Sequence, residues 1–175
     1  MKKVVILACS FVMMLCLAGC GSSNSSQPQA MQDVEVPGLQ AKVPADWTVN
    51  LGSYNDDARG YFQYVSPDES QSTLFYYEQL QGAPMTIDEL LETDKQSAID
   101  SYAATDYSCK EIGRYDLGGT TAVAYEIGYK CNENSEAERM DTIKAYAVTD
   151  GSIYTIETIG DKAIFDGVME TVQLQ

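Results

Sequence analysis

No histidine occurs anywhere in the 175 residues. That single absence removes Ser-His-Asp and Cys-His catalytic arrangements, together with the zinc and copper sites built on imidazole. Basic residues are scarce as well, 11 against 26 acidic ones. A surface so charged repels phosphate backbones and anionic headgroups, which excludes nucleic acid as a partner, and it keeps the chain soluble. There is one tryptophan, and there are only 5 prolines and 5 cysteines. No C-x-x-C, G-x-S-x-G or S-x-x-K pattern is present, so neither a thioredoxin-like redox pair nor a familiar serine nucleophile is indicated. No apolar run after residue 20 is long enough to cross a bilayer, which takes about 20 residues as a helix.

What is present begins at residue 1. Lys2 and Lys3 give a positive start, and residues 4–16 are apolar except for Ser10. These are the charged and apolar regions of a secretory signal, too short to span a membrane. "LAGC" follows at residues 17–20, and then a tract of Ser, Asn, Gln and Pro. Leu17-Ala18-Gly19-Cys20 resembles the lipobox of bacterial lipoproteins, in which the chain is cut before the cysteine and diacylglycerol is attached to its sulfur. The resemblance implies residues 1–19 as signal peptide and Cys20 as the lipidated residue. The expected location is the extracytoplasmic face of the cell membrane, with the bilayer as the first partner. Residues 20–33 then form a flexible tether, whose thirteen residues after the cysteine reach roughly 20 Å. Cleavage would remove Lys2 and Lys3 and leave 9 basic residues against 26 acidic, a net charge of −17.

Residues 34–175 read as one α+β domain: an antiparallel sheet of about six to eight strands with two amphipathic helices packed on it. "DVEVPGLQAKV" (33–43) alternates around Pro37-Gly38, and Trp47 opens a short strand. "YFQYV" (61–65) and "STLFYYEQL" (72–80) form a hairpin across "SPDES". A helix over 87–103 starts at Thr86, whose spacing from Glu89 is that of a capping box. Its apolar stripe is Ile87, Leu90, Leu91, Ala98, Ile99 and Tyr102. Two further hairpins turn at Gly118-Gly119 and at Thr149-Asp150-Gly151. Asp161 caps a last helix with Ile164, Phe165, Val168, Met169 and Val172 on one side. The "VPADW" start, the Gly-Gly hairpin and the closing "DGSIYTIETIG" followed by "IFDGVMETVQL" together resemble the PsbP-like domain. That resemblance covers residues 34–175. It implies a sheet covered by helices and a binding or assembly role, with no catalytic residues to carry over.

Cys9 and Cys16 leave with the signal, so Cys109 and Cys131 are the remaining thiols. In an exported chain they are expected as a disulfide; two unpaired thiols, or a redox or metal role, are the alternatives. A two-residue Gly118-Gly119 turn pairs positions whose numbers sum to 237, and the cysteines sum to 240, so the bridge needs a bulge or a longer loop. Acidic groups cluster at Asp56-Asp57, at Asp68-Glu69 and over 133–138 without a calcium-loop pattern, and read as a solvated surface. Of the twelve tyrosines most fall in or near strands, where aromatics serve the core and cross-strand pairs. Tyr61, Tyr64 and Tyr77, with Asp56, Asp57 and Arg59 in the adjacent loop, are the candidate ligand-binding set. No cofactor is indicated. The function that fits is a membrane-anchored, non-enzymatic binding or accessory module of the cell envelope. The alternatives are a hydrolase acting on envelope carbohydrate through paired carboxylates, and a spacer without a ligand site.

Overall fold

The computed structural model describes residues 30–52, 58–82, 84–131 and 139–175. Cys20, Asp56, Asp57 and the acidic stretch 133–138 lie outside the described residues.

The architecture is α+β, with two antiparallel sheets and two helices among the described residues. Five strands come first: β1 (Met31–Val36), β2 (Leu39–Pro44), β3 (Thr48–Gly52), β4 (Arg59–Val65) and β5 (Ser72–Gln79). Helix α1 (Ile87–Tyr102) precedes β6 (Thr105–Asp116), β7 (Thr121–Lys130), β8 (Arg139–Val148) and β9 (Ser152–Ile159). The chain closes with α2 (Lys162–Met169) and the two-residue β10 (Gln173–Leu174). The large sheet has the order β3-β4-β5-β9-β8-β7-β6. Its seven antiparallel strands agree with the six to eight expected, and β1 and β2 pair with β10 in a second, three-stranded layer.

The core lies between the two sheets. Val34, Val36, Leu39, Ala41 and Val43 of the small sheet, with Phe165, Val168 and Met169 of α2, pack against Phe75, Tyr77, Ala145 and Ile156 of the large one. Alternation in the strands explains this: odd-numbered residues of β5 and β8 and even-numbered residues of β9 share one face through their antiparallel register. Thr73 and Thr158, both fully buried, satisfy each other through a 3.0 Å hydroxyl pair. Gly38 turns β1 into β2 at φ +71, and a Cβ there would come within 2.5 Å of Tyr154 Oη.

Both helix starts match their sequence signals. Thr86 Oγ1 accepts from Glu89 N, and Thr86 N donates to Glu89 Oε2 at 2.8 Å. Asp161 Oδ1 accepts from Ala163 N at 2.9 Å. The two helices differ in how they are seated. Phe165, Val168 and Met169 of α2 are buried, whereas Ala98 is the one fully buried residue of α1 and its Ile99 and Tyr102 stay exposed. α1 therefore lies loosely over the second face of the large sheet. It ends at Ala103 in the left-handed conformation, φ 47, with Asp106 also at positive φ three residues on.

The expected disulfide is absent. Cys109 and Cys131 are free, the first exposed and the second half-buried. Register is the reason. Asp116 pairs with Thr121, as the Gly-Gly turn requires, but the bulges add residues to β6 rather than to β7. Cys109 therefore faces Ile127, and Cys131 lies four residues further along, about 13 Å at strand rise. A disulfide needs Cα atoms within about 7 Å.

Candidate functional site

Lys144 interrupts an otherwise apolar stretch of β8, and the register places it beside Glu157 of β9 and Tyr125 of β7 on the face that α1 covers. Asp94 descends from the middle of α1, one turn from Leu90 and one from Ala98. Lys144 Nζ donates to Asp94 Oδ2 at 2.8 Å and lies 3.4 Å from Glu157 Oε2. Tyr146 Oη makes a short bond to the same Asp94 oxygen, and Thr142 Oγ1 donates to Glu157 Oε1 at 2.9 Å. This polar cluster is the bond between helix and sheet. It is mostly shielded, with side-chain exposures of 19% for Lys144, 33% for Asp94 and 21% for Glu157.

The cluster divides a cleft in two. On the β5 side a cavity of about 330 Å³ is lined by Leu74, Tyr76, Met85, Leu90 and Ile153. On the β6 side a cavity of about 220 Å³ is lined by Ser97, Ala98, Tyr102, Tyr107, Ile127 and Tyr129. Three of these are near-parallel rings. Tyr102 and Tyr129 have centroids 6.3 Å apart at 21°, and Tyr107 and Tyr129 are 6.2 Å apart at 10°. At that distance each ring overlaps the next only at its edge, so they form a stepped aromatic surface. Tyr107 Oη is buried and has no hydrogen-bond partner among the described residues. A buried hydroxyl without a partner is uncommon and marks a place for water or ligand.

Larger hollows exist elsewhere. One of about 490 Å³ lies at the ends of β6, β7 and β8, where Arg139 already pairs with Asp141 and Lys162 with Asp166. Another of about 590 Å³ runs along β2 at Gln40 and Lys42, beside Thr171. Neither combines shielded charge with an unpartnered buried hydroxyl, and the cleft beneath α1 does.

Burial opposes the charge on Lys144, but Glu157 and Asp94 outweigh it and raise the ammonium to about 12. Burial, reinforced by Cys109 and Asp94, pushes the Tyr107 phenol up to about 12. Tyr115, on the core face, is pushed to about 12 by burial and by its 2.9 Å bond to Asp166. Tyr146 is pushed far up, first by burial and then by Asp94. All of these folded values lie above the unfolded ones, about 10 for Tyr and 10.4 for Lys. The native state therefore holds more protons above pH 10, and its stability is intact below that point and lost as pH climbs through about 12. Titration at 295 nm is expected to show Tyr107, Tyr115 and Tyr146 ionising in one late cooperative step that coincides with loss of the far-ultraviolet CD signal. A single smooth tyrosine titration with the CD signal unchanged at pH 12 contradicts this.

The sequence-derived tyrosine set does not form one surface. Tyr64 and Tyr77 point into the main core, where Tyr64 meets Phe75 edge-on and Tyr77 is 4% exposed. Tyr61 pairs with Tyr76 on the opposite face. Arg59 is exposed at the start of β4. The residues that gather at the cleft are instead Asp94, Lys144, Tyr146 and Glu157, with Tyr102, Tyr107 and Tyr129. One sequence cue exists for them: Asp94 occupies the stripe position between Leu90 and Ala98, and a charge on an apolar stripe needs a partner.

Cys109 borders this region, and burial followed by Asp94 raises its thiol above the ordinary value. That is the reverse of a reactive thiolate. Among the described residues no three cysteine, aspartate or glutamate side chains gather as a metal site, and no helix is long and apolar enough to cross a membrane. No family model matches the chain, and no curated protein is detectably similar to it.

Proposed function

We propose that this chain is an exported lipoprotein, held at the membrane through Cys20, whose α+β domain is a non-enzymatic binding module with its ligand site in the cleft beneath α1. The observation that carries the reading is the stepped Tyr102–Tyr129–Tyr107 surface over a cavity with an unpartnered buried phenol. Aromatic side chains beside a few convergent polar groups recur in small-ligand sites, and here three tyrosines meet Asp94, Lys144 and Glu157. The PsbP-like resemblance of residues 34–175 belongs to the same proposal, and the helix-covered sheet is compatible with it.

One observation favours the hydrolase alternative. Asp94 and Glu157 both reach Lys144 Nζ, so their carboxylates are no more than about 6 Å apart, near the spacing glycosidases use. Their engagement weighs against it. Both oxygens of Glu157 and one of Asp94 are taken up by Lys144, Tyr146 and Thr142, and a glycosidase acid must be free to deliver a proton to the leaving oxygen.

The test is a photoreactive side chain at position 102 of the full chain, activated in its native membrane. The expected result is a crosslinked species that disappears when Ser97→Trp fills the cavity and membrane attachment is unchanged. Capture no greater than that of a tether-only control overturns the reading. Release of reducing sugar that stops in Glu157→Gln replaces it with the hydrolase.

A further inference from the structure

The ligand's chemistry can be narrowed by asking what the smaller cavity would refuse. Lys144 stands between Asp94 and Glu157 and engages both, so a guest cation would have to compete with an ammonium already in place. The two carboxylates against one ammonium, with the chain's net charge of −15 behind them, repel an anion. An apolar guest would leave Tyr107 Oη unpaired and strip water from the ion cluster. What fits is neutral, with hydroxyls that both give and accept hydrogen bonds, and with a C–H face to lie on aromatic rings.

We propose that the cavity lined by Ser97, Tyr102, Tyr107, Tyr129 and Lys144 is a subsite for one neutral sugar unit. The inference rests on the cleft being a binding site. About 220 Å³ is the space of roughly seven waters, the scale of one six-membered sugar ring with its hydroxyls. The Tyr107 hydroxyl stays protonated and donates to a sugar oxygen. Asp94 Oδ1 and the Ser97 hydroxyl, which have no hydrogen bond among the described residues, accept from sugar hydroxyls. The ring face lies on the outer step of the aromatic surface, where Tyr102 is 48% exposed. Polarised C–H bonds facing the negative face of a ring give such contacts their direction. The sugar unit can be free in solution or the end of an envelope glycan.

The experiment uses the full chain in a detergent without a sugar headgroup, followed by ligand-observed NMR titration. Glucose, glucosamine and glucuronate form a series of nearly constant shape and changing charge. Glucose is expected to saturate, and both charged analogues to bind at least tenfold more weakly. Tyr107→Phe should weaken glucose at least fivefold with an unchanged CD spectrum, and Ser97→Trp should abolish binding. Cellotriose bound tenfold more tightly than glucose assigns the site to a glycan end, and equal affinities assign it to free sugar. Charged analogues that bind as well as glucose, or a Tyr107→Phe variant that binds it unchanged, overturn the proposal. Phenol and choline are run beside the sugars to separate two failures. If one of them binds and is lost in Ser97→Trp while glucose does not bind, the sugar assignment falls and the cleft reading stands. If no probe responds to Ser97→Trp, both fall.

Discussion

Lys144→Met is expected to lower stability by about 2–3 kcal/mol, a fall in Tm of roughly 10 °C for a domain of this size. Methionine keeps most of the stem's volume, so packing in the sheet is little changed. What changes is charge. Asp94 and Glu157 are left facing each other with no cation between them, and one Lys144 contact joining α1 to β8 disappears. Removing one member of a fully buried ion pair costs about 3–5 kcal/mol. The figure here is lower because the three side chains keep between 19% and 33% of their exposure, so water screens part of the repulsion. Thermal denaturation followed by CD measures it. Adding Asp94→Asn and Glu157→Gln to Lys144→Met should recover more than half of the loss, because two amides do not repel. A Tm shift below about 2 °C in the single variant would mean that the cluster behaves as an ordinary surface ion pair.

The second large effect concerns place rather than stability. Cys20→Ser should move the protein from the membrane fraction to the medium, or leave it unprocessed, with almost none lipidated. A serine hydroxyl cannot form the thioether that the lipobox reading requires. Each buried methylene of an acyl chain contributes about 0.8 kcal/mol, one chain gives only marginal attachment, and two give stable anchoring. Among the described residues no helix is long and apolar enough to cross a membrane. The chain's acidic surface adds no attraction to anionic lipid. Fractionation followed by intact-mass measurement decides the matter. A Cys20→Ser protein that is cleaved as before and still sediments with membranes removes the anchor from the proposal.

What could be read from residue order was whatever neighbouring residues decide among themselves. The Thr86–Glu89 box, the Asp161 cap, the α2 stripe and the Gly118-Gly119 turn involve groups within a few positions of each other, and each lies where it was expected. The misreadings share a physical cause. Whether Cys109 can meet Cys131 depends on bulges between Thr105 and Gly113, and a one-residue register change leaves no periodic trace. Tyr64 and Tyr77, taken with Tyr61 as a candidate ligand-binding set, are drawn into the core because β1, β2 and α2 cover that face of β4 and β5. The separation of β1 and β2 into their own sheet depends on β10, which lies at the other end of the sequence. The candidate site was the least legible part. Asp94, Lys144 and Glu157 come from three elements and follow no motif, and only sheet register and the seating of α1 bring them together.

The three-stranded layer has a consequence in time. Leu174 pairs with Leu39, and the last backbone amides reach Leu117 and Gly38, so early, middle and late parts of the chain meet there. Contacts between such distant residues are slow to form, because a long loop must close before they give any return. The three-stranded layer therefore cannot be completed until residues 173–174 are available to pair with β2. For a protein that we propose crosses a membrane as an extended thread, late closure keeps it threadable until the crossing is done.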